Sequence, residues 1–428
     1  KARKNNGAKR DMHYEMEQEE HDVYPDDPDF DINKARLVTT DPRICVRYEC
    51  VPMRFIKHVY KIHTYAQDGR LFEGKTPVSA FLNSSYDGSF IAGLMELRYI
   101  QSLPVERIIN YFESHGFTLK KPTAHKLMEK ASSLFENLYK CIRQTALSDP
   151  YKAADETYYK ILVPEKNSKG KGFRKGYLWV VVGINTRMIY LLYDDGSRSE
   201  KVILNELGGC KGIIQSDGYS PYRKLESDAY PHITRIPCLQ HIKRKFIDCG
   251  EDDPDAKRIV EMINTLYQNE HKHKIGVDGW TVEQNLVHRK KYAPDILGEI
   301  KDVLDDIEER GDLLPKSELK EAITYLRNEW NAVVDIFNYG DTYLDNNIVE
   351  RMNRYISLSR KNSLFFGSHK GAERGAILYT IALTCRMNKV NLFEYLTDVI
   401  NRTAEWQPNT PLEKYRLLLP DRWEKAND

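Results

Sequence analysis

The chain has 428 residues, 41% of them hydrophobic and 30% charged, with 64 Lys and Arg against 63 Asp and Glu. That length supports more than one core-bearing segment, and a net charge of +1 says nothing by itself about acidic or basic partners. Seven scattered cysteines do not make a disulfide framework and point to a reducing cytoplasm. No apolar run approaches the ~18 residues of a membrane span, and no signal peptide precedes the first domain. The first residue is Lys rather than Met, which suggests that residues precede it.

Residues 1–43, basic at Lys1–Arg10 and acidic from Met12 to Asp31, read as a flexible charged tail. In 44–65, β-branched and aromatic residues with partial alternation predict two strands around Pro52, within a small β-rich module at 44–85. Cys45, Cys50, His58 and His63 lack the spacing of a common zinc finger and read as strand residues. From Ser89 the period becomes helical, with Phe90, Leu94, Leu97 and Ile100 in one stripe that ends before Pro104. A second helix turns Ile108, Ile109 and Phe112 inward, and Gly116 makes a turn. A third begins near Thr123 with Leu127, Ala131, Leu134 and Leu138 on one face. Helix, glycine turn, helix over 86–148 is the helix-turn-helix pattern, with a plain helical hairpin as the alternative. Lys120, Lys121, Thr123, His125 and Lys126 would then face phosphates or base edges.

Residues 149–253 alternate differently. Strands are predicted at Ala153–Pro164, from Gly176 and from Met188, with Asn185-Thr186 as the hairpin turn between the last two. A helix at Val202–Leu207, a short strand at Gly212–Gln215, a strand over His232–His241 and a helix from His241 complete a mixed α/β sheet layered with helices. Residues 254–340 are helical by pattern and look like an insertion, with a Thr281/Gln284 capping box inside it. Residues 341–405 resume the core: Val349, Met352 and Ile356 make an apolar stripe on a helix over Asp345–Ile356, and a further helix carries Ile377, Ile381, Leu383 and Met387. Residues 406–428 read as a C-terminal tail.

Two acidic residues stand at strand positions suited to chemistry. Asp155 lies in the first strand of the sheet, and Asp217 ends the fourth, with Gly218 behind it so that a ligand can approach. Glu350, on the helix with Asn346, Asn347, Arg354 and Ser357, is the candidate third carboxylate. Hard cations such as Mg²⁺ take oxygen ligands of this kind, and two ions about 3.5–4 Å apart serve phosphodiester chemistry. For either aspartate alone, a turn or capping role is the alternative. Cys238 and His241 do not by themselves complete a zinc site. His241 is placed near the active site against a phosphate, or else is a buried structural histidine. Lys243, Arg244, Lys245, Arg351, Arg354, Arg360 and Lys361 are candidate phosphate contacts, and Trp179 is a core residue.

Asp155-Glu-Thr, the GYLWVVV strand, Ser216-Asp-Gly-Tyr, Cys238-x-x-His241 with Lys243-Arg-Lys, Asp345-Asn-Asn-x-x-Glu350-Arg351, Arg360-Lys-Asn-x-x-Phe365-x-Gly-Ser and Gly371-x-Glu-Arg374 occur in that order. This set closely resembles the transposases of the bacterial insertion-sequence family sixty-six (the TnpC type), over about residues 44–405. The resemblance implies a ribonuclease-H-like fold with a DDE triad: Asp155, Asp217 and Glu350 as catalytic and metal-binding residues, with Mg²⁺, or Mn²⁺ in its place. It also implies double-stranded DNA as partner, both terminal inverted repeats and target, with a homodimer or higher oligomer on DNA. Element-encoded helper proteins and a cytoplasmic, nucleoid-associated location follow from it as well. Asp217 and Glu350 are separated by about twice the interval between Asp155 and Asp217, which the helical insertion accounts for. The family's cysteine-rich zinc segment lacks its paired cysteines here, so zinc is not expected. A catalytically inactive repressor or domesticated architectural protein, and a nuclease without strand transfer, are the rival functions.

Overall fold

The computed structural model describes residues 53–425, apart from positions 60, 62, 68–69, 74–78, 82–83, 166–169, 171, 405 and 408. The expected tail at 1–43 and the strand expected before Pro52 lie outside the described residues. Residues 53–59 hold no strand; the strand pair comes later, as the antiparallel hairpin of β1 (Thr64–Gln67) and β2 (Arg70–Glu73). Phe55 instead joins a ring cluster with Phe90, Phe112 and Phe117, at centroid distances of 5.9, 4.9 and 4.8 Å. Aromatic residues that looked like strand formers here supply packing.

Helix α1 (Gly88–Met95) starts where the Asp87 carboxylate accepts the Phe90 N–H at 3.0 Å, and a π turn carries the chain on to Ile100. Its buried side is Ile91, Leu94 and Met95, rotated from the predicted stripe, because Phe90 faces the ring cluster. Helix α2 (Val105–Ser114) buries Ile108 and Phe112. Gly116 takes the turn at φ +82°, and α3 (Lys121–Leu134) follows. Phe135 then breaks the helix, at φ −91° and ψ 1°, so that Leu138 belongs to a separate α4 (Glu136–Ser148).

The sheet comprises β3 (Tyr151–Leu162), β4 (Phe173–Gly183), β5 (Met188–Leu192), β6 (Gly212–Ser216) and β7 (Ile233–Pro237), in spatial order β5-β4-β3-β6-β7. β3 pairs antiparallel with β4 and parallel with β6, and β6 pairs parallel with β7. Between these strands lie α5 (Glu200–Leu207) and the short α6 (Ser220–Arg223). α7 (Leu239–Ile247) begins directly after β7. Trp179 is fully buried on β4, as its apolar neighbours predict.

Three helices follow: α8 (Pro254–Glu270), α9 (Val282–Glu309) and α10 (Glu318–Ile336). The Thr281/Gln284 capping box starts α9 as the sequence predicts. The block shares one apolar core with the sheet edge, where Ile213, Ile236, Leu239 and Phe246 meet Ile259, Ile300, Leu304 and Ile323. Its return to the sheet is tied by hydrogen bonds. The Tyr151 hydroxyl donates to Gln215 Oε1 at 2.6 Å and accepts the Tyr343 N–H at 3.0 Å, while Gln215 Nε2 donates to the Tyr343 carbonyl at 2.8 Å. The chain closes with α11 (Asn347–Asn362), α12 (His369–Met387), α13 (Leu392–Thr403) and α14 (Leu412–Arg416). α11 runs six residues beyond the predicted end at Ile356. The expected C-terminal tail is packed down, with Tyr415, Leu418 and Leu419 buried. Phe55–Asp428 clusters as one compact unit. Among the described residues, no helix is long and apolar enough to cross a membrane.

Candidate active site

Strand register brings the first two acids level. Tyr151, Lys152 and Ala153 pair with Ile213, Ile214 and Gln215. Continued by two positions, that register sets Asp155 on β3 beside Asp217, the residue after β6. On the far side Ser216 pairs with Pro237, so Cys238 stands next in line. Asp155, Asp217 and Cys238 therefore share one edge, where β6 and β7 end and β3 runs on.

Charge crowds at this edge. Burial, then the Glu156 and Asp217 carboxylates, push the Asp155 carboxyl up to about 8. Burial first, then the Glu156, Asp155 and Asp217 charges, hold the fully buried Tyr222 well above its usual range. Its hydroxyl donates to Glu156 Oε2 at 3.4 Å, and Arg198 Nε donates to Glu156 Oε1 at 3.0 Å. Glu156 is thus paired internally, although burial still raises its pKa. Among the described residues no cationic side chain pairs with Asp155; it accepts the Glu156 N–H at 2.8 Å and the Asn353 amide at 2.6 Å.

That amide links α11 to the sheet. Asn346 Nδ2 donates to the Ala154 carbonyl at 2.9 Å, and the Asn346 N–H reaches Cys238 Sγ at 3.2 Å. Asn353, three residues after Glu350, completes the clamp. Glu350, in the first turn of α11, is thereby carried to the edge that holds Asp155. Glu350 Oε1, Asn346 Oδ1 and Asn353 Oδ1 are buried oxygens without hydrogen-bond partners among the described residues. Unpaired buried acceptors beside a carboxylate held above its usual range fit a hard cation with oxygen ligands. The sequence marked Asn346 as a polar-face residue and passed over Asn353. An amide at the same helical spacing as the carboxylate is the signal that could have found it.

The Asp217 loop is braced from the helical block. Arg235, 2% exposed, donates from Nη2 to the Asp217 carbonyl at 2.7 Å and from Nε to Ser216 Oγ at 3.0 Å. Its guanidinium forms ion pairs with Glu226 and with fully buried Glu329 of α10, each at 2.6 Å. Tyr325 of α10 accepts the Gly218 N–H at 2.8 Å. The sequence leaves the space beside Gly218 for a ligand; the structure fills it with Tyr325. A Cβ at position 218 would lie 2.5 Å from the Tyr325 hydroxyl oxygen. Gly218→Ala is therefore expected to cost about 1–3 kcal/mol in denaturant unfolding. A loss below ~0.5 kcal/mol would mean that Tyr325 is free to move.

The basic candidates fall into separate groups. Lys120, Lys121, His125 and Lys126 are exposed at the start of α3, and Thr123 is half-buried. Lys121 is paired with Glu106 on α2. Partial desolvation, then the Lys121 charge, hold the His125 imidazole below its usual range although its surface is exposed. Arg244 and Lys245 are exposed on α7 and Lys243 is half-buried, while Arg351, Arg354 and Lys361 are exposed on α11. Arg360 is engaged internally, with its guanidinium 3.9 Å from the Tyr158 ring centroid and donating to the Tyr158 carbonyl. His241, in the first turn of α7, lies with Nδ1 3.7 Å from Glu350 Oε1.

Fold and site together define a mixed α/β protein with a half-buried acidic cluster at its strand ends. The family model described as Transposase IS66 family matches residues 83–374, more than half of the sequence, and the chain belongs to that family. It is 26% identical over 346 residues to the uncharacterized protein y4jD of Sinorhizobium fredii, covering 78% of this chain but 65% of that protein. Two further proteins of that organism are similar. Uncharacterized protein y4hP is 24% identical over 93% of this chain and 76% of its own length, and y4qI is 26% identical over 86% and 69%.

Proposed function

We propose that the chain is a DDE transposase, which binds the terminal inverted repeats of its element and catalyses metal-dependent strand cleavage and strand transfer. The observation that carries this reading is the clamp of Asn346 and Asn353 on Ala154 and Asp155, which brings Glu350 to the strand edge shared by Asp155 and Asp217. The sheet order, with β4 alone antiparallel to β3 next to the parallel β3-β6-β7 set, supports a ribonuclease-H-like core. Asp155, Asp217 and Glu350 would hold Mg²⁺, or Mn²⁺, whose charge would activate a water or a 3′-hydroxyl and stabilise the leaving 3′-oxygen.

The chain's own residues do the rest. Asn353 fixes the rotamer of Asp155, and Arg235 with Tyr325 fixes the loop that carries Asp217. In cleavage, water would form a new P–O bond and lose its proton to solvent as the 3′-oxygen leaves and is protonated; in transfer, that 3′-hydroxyl would lose its proton and bond to a target phosphate as the target strand's own 3′-oxygen leaves and is protonated. The exposed start of α3 would engage the element end as the second helix of a helix-turn-helix. Lys243, Arg244, Lys245, Arg351, Arg354 and Lys361 would hold phosphates near the carboxylates. Joining two element ends calls for at least two copies on DNA, and element-encoded helper proteins are compatible with this assembly.

The test is transposition frequency of the complete element in cells, together with end binding by the purified chain. Glu350→Gln is expected to lower transposition at least about a hundredfold while binding persists, since several kcal/mol depend on the ion and each 1.4 kcal/mol is tenfold. Lys120→Glu with Lys126→Glu is expected to weaken end binding and to reduce its salt slope by about two. End binding with no cleavage in Mg²⁺ or Mn²⁺ would replace this reading with that of a DNA-binding repressor.

A further inference from the structure

The start of α7 and the start of α11 converge on a second set of ligand atoms. Cys238 Sγ, a ring nitrogen of His241 and a Glu350 carboxylate oxygen all lie within 4.8 Å of one another. Two of these groups are unsatisfied, because His241 Nδ1 and Glu350 Oε1 are buried without hydrogen-bond partners among the described residues. Their separation of 3.7 Å is too long for a hydrogen bond. It is close to the ~3.4 Å edge of a tetrahedron whose centre lies ~2.0–2.1 Å from nitrogen and oxygen ligands. The backbone holds the three in place, with the Leu239 N–H donating to the Leu344 carbonyl at 2.9 Å and the Asn346 N–H to Cys238 Sγ at 3.2 Å.

We propose that Cys238, His241 and Glu350 form a distinct site for a thiophilic divalent cation such as Zn²⁺, and that its occupancy withdraws Glu350 from the oxygen-lined site. Sulfur, imidazole nitrogen and carboxylate oxygen are the donor set of a borderline-soft ion, not of Mg²⁺, which demands oxygen ligands in octahedral array. As the Sγ–metal bond forms, the thiol proton leaves to solvent. Thiolate, carboxylate and neutral imidazole then balance a double positive charge, which suits a half-buried position. The Asn346 N–H already directed at Sγ would stay to stabilise the thiolate. Cys238 and His241 are the pair that the sequence leaves incomplete; Glu350, brought in from α11, supplies the third ligand. Binding stands apart from the proposed function, and only the inhibitory consequence rests on it.

The experiment is cobalt titration of the reduced, metal-free full chain, read by its absorption spectrum. One equivalent of Co²⁺ is expected to give intense tetrahedral bands with a sulfur-to-cobalt charge-transfer band, displaced by Zn²⁺. Cys238→Ser is expected to abolish the charge-transfer band, and His241→Ala and Glu350→Gln to weaken affinity at least about tenfold. His241 is half-exposed, so its variant tests the site even where the buried Cys238→Ser folds poorly. A charge-transfer band that survives Cys238→Ser, or one lost only when Cys45 and Cys50 are replaced, would overturn the site. In the cleavage assay, Zn²⁺ is expected to inhibit the Mg²⁺-supported reaction of wild type but not that of Cys238→Ser; equal inhibition of both would overturn the withdrawal of Glu350. Should wild type fail to cleave DNA in Mg²⁺ while the cobalt spectra hold, the transposase reading fails and the metal site stands.

Discussion

Asp155→Asn is expected to stabilise the metal-free protein while abolishing its chemistry. The Asp155 carboxyl is pushed up to about 8 by burial and by the Glu156 and Asp217 charges, so near neutral pH the metal-free fold holds it largely protonated, at a free-energy cost that the unfolded chain, where it ionises, does not bear. An asparagine has the same shape and no charge. Its Oδ1 can take the Glu156 N–H, and its amide can face Asn353 Oδ1, a buried oxygen without a partner, once the Asn353 amide turns over. Removing that protonation cost is expected to raise stability at neutral pH by roughly 1–3 kcal/mol, or a few degrees in Tm. Millimolar Mg²⁺ is expected to raise the Tm of wild type, since a ligand at a hundred times its Kd contributes about 2.7 kcal/mol, and to leave that of Asp155→Asn nearly unmoved. Transposition should fall at least about a hundredfold. Gain of stability with loss of activity marks a site whose residues are arranged for a ligand and not for the empty fold. A variant less stable than wild type without metal, or an equal Mg²⁺ response in both, would remove Asp155 from the cation site.

Much of this site is legible because its determinants are local. The strand-forming run from Ala153 to Pro164 puts Asp155 on β3, and a short apolar run ending in Ser216 puts Asp217 just past the end of β6. The capping box at Thr281 and the left-handed Gly116 likewise follow from neighbours along the chain. What stayed hidden depends on distant partners. Leu127, Ala131, Leu134 and Leu138 keep a helical period straight through Phe135, so the period cannot show that the helix breaks there. Asn353 looks like one more polar residue of a solvated face until Asp155 is set against it. Gly218 suggests room for a ligand, and only the fold reveals that Tyr325 occupies that room. Arg235 and Glu329 resemble ordinary surface charges in the sequence, yet both are fully buried.

Glu329→Leu is expected to lower stability by about 3–5 kcal/mol, because it leaves the Arg235 guanidinium buried with Glu226 as its remaining carboxylate. Replacing both partners, as Arg235→Met with Glu329→Leu, should recover most of that loss, since a buried pair can be exchanged for apolar packing at little net cost. Activity should not return with it. Arg235 also donates to the Asp217 carbonyl and to Ser216 Oγ, and no methionine can hold that loop. A displacement of about 1 Å in a catalytic group costs on the order of a hundredfold in rate. Urea unfolding and transposition frequency, measured on the same two variants, separate the two contributions. A double variant that is both stable and fully active would reduce the network to packing and free Asp217 from any dependence on α10. A double variant that is stable and inactive would show why the helical block sits between Asp217 and Glu350 in sequence: α10 supplies, through Glu329 and Tyr325, the support that holds the second acid of the site against the third.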